Sequence, residues 1–108
     1  MFFTRSAPTL LTAQQPNNGS TVYTFTEDQD LSILVVFGNT DGNWNPTVSV
    51  SNSSDLTLTQ LGTSLSSSGR YFKHYYAAYL VSNAKAGSTL TITNASNTEK
   101  VFAIYGIS

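Results

Sequence analysis

The chain has no cysteine, three prolines, one tryptophan and one histidine in 108 residues, and charged residues make up only 10% of it. Without cysteine there is neither a disulfide framework nor a thiolate metal site, so stability must come from packing. The charged fraction is far below the ~25% usual for soluble domains, and the formal net charge is −1. Five scattered Lys and Arg do not make the basic stripe that nucleic acid demands. No window approaches the ~18 apolar residues of a spanning helix, so no membrane role is expected. The start "MFFTRSAPTLL" is interrupted by Arg5 and Pro8. It lacks the basic n-region, continuous apolar run and cleavage site of a signal peptide and is read as mature protein.

What the chain does have is neutral polarity. Ser, Thr and Asn fill 39 of its positions, against 40% hydrophobic and 12% aromatic residues. Thr suits the solvated face of a strand, whereas Ser and Asn suit turns, where they bond to nearby backbone. With so little charge, copies of the chain repel one another weakly. The length fits one domain with one core, burying roughly 65% of the surface the unfolded chain exposes.

Period-two patterning runs throughout. "STVYTFT" (20–26), "TVSVS" (47–51), "LTLTQL" (56–61) and "AGSTLTIT" (86–93) alternate apolar with hydroxylated residues, as half-buried strands do. "LSILVVF" (31–37) is nearly continuous and β-branched, which predicts a central strand covered on both sides, ended by Gly38 and "NTDGNWNP". "GTSLSSSG" (62–69) reads as a loop, and "KVFAIYGI" (100–107) as a last apolar strand. With a short strand in "APTLLT", about eight strands recur every 8 to 12 residues or so, which predicts an all-β, single antiparallel sandwich. Residues 1–15 are expected to form an N-terminal arm or edge strand, and 16–108 the sandwich. "RYFKHYYAAYLV" (70–81) fits a helical stripe of Phe72, Tyr75, Tyr76, Tyr79 and Leu80 as well as a strand, and is read as a strand because of its aromatics and its all-β surroundings. Either Phe72, Ala78 and Leu80 face the core and Tyr71, Lys73, Tyr75 and Tyr79 face outward, or the reverse.

Chemistry-bearing residues are few. His74 has no carboxylate near it in sequence, and the chain has no G-x-S-x-G elbow, so a structural or surface histidine is expected rather than a catalytic base. "TEDQD" (26–30) groups Glu27, Asp28 and Asp30, with Asp41 and Asp55 in other loops. Their spacing matches no EF-hand, and a solvated turn is expected rather than a metal site. No catalytic, cofactor-binding or metal-ligating residue is assigned. Trp44, in an amide-rich loop, suits stacking on a sugar, plugging into a neighbouring subunit or capping its own core.

From residue 31 on, the order "LSILVVFGNT", "PTVSVS", "LTLTQLGTSLSSSGRYFKHYYAAYLVSNAKAGSTLTIT", "VFAIYGIS" resembles the small jelly-roll-like β-sandwich domain of tailed-bacteriophage virion proteins. The resemblance covers about 78 residues and consists of residue-type patterns. It implies display or attachment and carries over no catalytic residues. A lone sandwich of this size is similar to capsid decoration or cement proteins. The expectation is therefore a non-enzymatic protein on the outer capsid surface of a virion, bound to the major capsid protein. It would act as a homo-oligomer, with a trimer as the first arrangement to consider. Phe2, Phe3, Leu10 and Leu11 in the arm are candidate interface residues, with Trp44, Tyr71, Tyr75 and Tyr79 beside them. The alternative is a carbohydrate- or receptor-binding module in which Trp44, Tyr71, Tyr75 and Tyr79 are stacking platforms.

Overall fold

Hydroxylated and apolar residues in alternation give strands with one wet and one dry face, and such strands bury the dry face by pairing sheets. The computed structural model describes residues 8–16, 19–41, 48–68, 72–94 and 98–107. Among them are eight strands and no helix: β1 (Thr9–Gln14), β2 (Gly19–Thr24), β3 (Gln29–Asp41), β4 (Val48–Asn52), β5 (Thr57–Ser68), β6 (Phe72–Ala84), β7 (Thr89–Asn94) and β8 (Thr98–Ile107). They form two antiparallel sheets, ordered β1-β8-β3-β6-β5 and β2-β7-β4. The all-β sandwich is as expected. Strands 1, 8, 3 and 6 side by side, opposite 2, 7 and 4, follow jelly-roll-like order, with β5 joined to β6 rather than to β4.

The core lies between the sheets. Leu34 and Val36 of β3, Val81 of β6, and Phe102 and Ile104 of β8 share it with Leu90 and Ile92 of β7, all fully buried. Each such side chain contributes about 1.5–3 kcal/mol by leaving water. Phe25, just after β2, seals one end and packs edge-on to Tyr23 at 5.1 Å. Gly87, at φ 94° in the turn between β6 and β7, takes the left-handed conformation that Gly adopts without a Cβ penalty.

Three expectations are corrected. β3 does not end at Gly38 but continues to Asp41, because both neighbours pair with it there: Asn39 lies opposite His74 and Glu99. "GTSLSSSG" is not a loop up to Ser68. β5 runs on beside β6, with a bulge between Gln60 and Gly62, and ladder pairing to the aromatic strand overrides the weak strand preference of Ser and Gly. Finally, β3 is central but covered on one face only. Ser32, Leu34 and Val36 are buried, whereas Val35 is 43% exposed.

Candidate interaction surface

Residues 74–81 settle in the second of the two arrangements. Tyr75, Ala77, Tyr79 and Val81 point into the core, and His74, Tyr76, Ala78 and Leu80 point outward. Registers then fix what surrounds them on the outer face of the five-stranded sheet. Ala13, Ala103, Val35, Ala78 and Gly62 line up across all five strands. On one side of this small-residue row stand Leu10, Tyr105, Ile33 and Leu80. On the other stand Val101, Phe37 and Tyr76. Phe37 meets the Tyr76 ring at 5.0 Å and stacks on the His74 ring at 5.6 Å.

The result is a furrow between two apolar ridges, left open to solvent. Leu10, Val35, Leu61, Tyr76, Val101 and Tyr105 are each 38–56% exposed. A depression of about 350 Å³ is lined by Val35, Leu61, Gly62 and Tyr76 among others, and a second of about 360 Å³ by Pro8, Ile33, Tyr105 and Ile107. The other outward face of the sandwich has the opposite character. On β2, β4 and β7, Ser20, Thr24, Ser49, Ser51, Thr89, Thr91 and Thr93 share a face with one apolar residue, Val22. Ser20 and Thr93 hydroxyls bond there at 2.8 Å. One sheet thus offers water a lattice of hydroxyls, and the other offers it a mainly aliphatic and aromatic centre with Thr59 and Ser82 at its margin.

The expected interface residues are dispersed. Phe2, Phe3, Trp44 and Tyr71 lie outside the described residues. Leu10 is exposed on the apolar face, and Leu11, at the β1 bulge, packs toward the core. Tyr75 packs against the core and Tyr79 is buried, so neither ring is a stacking platform on the surface. Burial, and then the adjacent Tyr75, push the Tyr79 phenol up to about 12. Among the described residues the exposed tyrosines are Tyr76 and Tyr105, which aromatic enrichment alone did not single out. The signal for this face was the lack of alternation in "LSILVVF" and "VFAIY", apolar on both faces; the second run holds Tyr105, and the first holds Phe37, the partner of Tyr76.

Two of the carboxylates serve turns. Asp28 accepts from the Ala86 amide at 2.9 Å and pairs loosely with Lys85 at 4.0 Å. Asp55 accepts from the hydroxyls of Ser53 at 2.6 Å and Ser88 at 2.8 Å, which hold its carboxyl below the usual carboxylate range. Asp41 falls at the far end of β3 from these turns. Among the described residues no group of three or more His, Asp or Glu could hold a metal ion. At that far end Lys100, fully buried, donates to Asn94 Oδ1 at 2.5 Å and to the Gly19 carbonyl at 2.8 Å, and desolvation lowers its pKa.

Comparison with protein-family models, with curated proteins and with solved structures found no match.

Proposed function

We propose that this chain is a non-enzymatic virion structural protein, a capsid decoration or cement protein that adds protein–protein contacts at the outer surface of a capsid in many copies. The observation that carries the reading is the open apolar face of the five-stranded sheet, with Val35, Tyr76, Val101 and Tyr105 exposed together, a surface suited to the contacts between copies on which a many-copy layer depends. Monomeric proteins rarely expose contiguous apolar patches beyond a few hundred Å², and larger ones mark interaction sites. The jelly-roll-like order and the low charge support the same reading, since a lattice of closely spaced copies then costs little Coulomb energy. Repetition over a symmetric shell multiplies modest contacts through multivalency.

A sugar-binding role is less well supported. It wants aromatic platforms flanked by several polar partners, whereas Tyr105 lies between Leu10 and Ile33 and Tyr76 lies beside Phe37, with Ser64 the one polar residue opposite it.

The test is to add the purified protein to capsids that lack it and image the particles. Binding at a fixed number of copies per shell, with a higher temperature of capsid disruption, is the expected result. Unsaturable or absent binding overturns the proposal.

A further inference from the structure

The strand β3 carries apolar residues on both faces, and in the folded chain only one of these is covered. A continuous apolar strand is the pattern of a strand buried on both sides, so its sequence suits a second layer that the sandwich itself does not supply. We infer that this layer is a second copy of the same chain: two sandwiches pack through the outer faces of their five-stranded sheets about a two-fold axis, centred on Val35 and the furrow. This goes beyond the virion reading, because it holds or fails in solution with no particle present.

Area favours it. Five strands at ~4.8 Å spacing and the seven residues Leu31 to Phe37 at ~3.3 Å each span a footprint of roughly 550 Å² before side-chain relief is counted. Relief raises the accessible area toward the ~800 Å² that each partner buries in a standard interface.

Charge favours it as well. Among the described side chains of this face the one charged group is Glu99, at the margin beyond Val101. Covering the face therefore buries no charge at its centre, and it offers no handle to a charged partner. What fits is another uncharged, ridged apolar surface, and each copy presents one. Sheets pack face to face ~10 Å apart with their side chains interleaved. A furrow floored by Ala13, Ala103, Val35, Ala78 and Gly62 between two rows of larger residues gives that interleaving a shape. A single flat face can be covered by only one copy of itself, so the contact makes a pair rather than the trimer the sequence suggested.

Position 62 separates association from folding. A Cβ placed on Gly62 meets no atom within 4 Å, so Gly62→Glu leaves the sandwich intact and puts a carboxylate in the furrow. Val35→Arg is the second variant. Val22→Glu, on the hydroxylated sheet and 58% exposed, is the control.

Sedimentation velocity between about 1 and 100 μM, a range that brackets micromolar association, should give twice the chain mass for the wild type and for Val22→Glu. Gly62→Glu and Val35→Arg should give the single-chain mass across the range, a loss of association of at least about a hundredfold. Gly62→Glu should keep the β-sheet circular dichroism spectrum. A wild type that stays monomeric, a trimer, a pair that survives both substitutions, or one split by Val22→Glu overturns the inference. So does a monomer that binds phosphatidylcholine vesicles and loses binding with Val35→Arg, which would make lipid the occupant.

Discussion

Asp55 joins two turns that are 33 residues apart in the chain. Its oxygens hold Ser53 and Ser88, while the Ser88 hydroxyl also accepts from the Lys85 amide at 3.0 Å. Ser88 is buried, so Ser88→Ala should cost about 1–2 kcal/mol in chemical denaturation at neutral pH. The carboxyl of Asp55 is held below its ordinary value by those hydroxyls. The unfolded chain therefore takes up this proton first as pH falls. The stabilisation is present above about pH 4 and is lost as pH falls through the folded value. Asp55→Asn should melt below the wild type at neutral pH, with the gap closing in acid; a gap that stays constant would refute the account. Tyr79 works at the other extreme. With its phenol raised from 10.0 to about 12 by burial and by Tyr75, stability is intact below pH 10 and is lost as pH rises toward 12. The slope is at most about 1.4 kcal/mol per unit. Tyr79→Phe should remove that slope from urea titrations across the alkaline range.

At the scale of strands, position in the sheet decides what each amide experiences. β3 is paired on both sides, by β6 and β8, whereas β5 is an edge with β6 on one side only. Hydrogen exchange should therefore be slowest from Ser32 to Val36. In β5 alternate amides should exchange fast, since those pointing away from β6 meet water. Uniform protection along β5 would mean that its free edge is covered. Alternation made β2, β4 and β7 legible, because their Thr and Ser positions differ plainly from their apolar ones. It could not orient β6, since both faces of "RYFKHYYAAYLV" carry aromatic and apolar groups. The choice was made by the neighbouring strand: Val36 and Leu34 face the core, and Ala77 and Tyr79 lie opposite them. The far half of β5 was hidden for a related reason, as Ser and Gly have weak strand preference and the partner that pairs with them lies in another part of the chain. The apolar surface was half visible in the unbroken run of β3. Its other half, the matching outward residues of β8 and β1, needed the register.

For the molecule as a whole, the two sheets are fastened at both ends by polar groups, with an apolar core between. Asp55 and Ser88 tie one end. At the other, Lys100 of β8 reaches from the five-stranded sheet to Asn94 at the end of β7 and to Gly19 at the start of β2. Desolvation disfavours its ammonium, so charge burial costs something that these carbonyl acceptors offset. Lys100→Met keeps much of the stem's packing but leaves the Gly19 and Asn94 oxygens without this donor. The expected loss is about 1–3 kcal/mol at neutral pH. The pH dependence identifies the cause. Because the folded amine has the lower pKa, the unfolded chain holds more protons as pH approaches the ordinary lysine value, and wild-type stability gains from Lys100 over that interval. The gain is lost again as pH falls through the folded value. Urea titrations kept below pH 10, where the Tyr79 phenol makes no contribution, should show the wild type pulling further ahead of Lys100→Met as pH rises from neutral. If the gap holds constant, the amine is not desolvated. If Lys100→Met is the more stable protein, the bonds to Gly19 and Asn94 do not offset the cost of burying it.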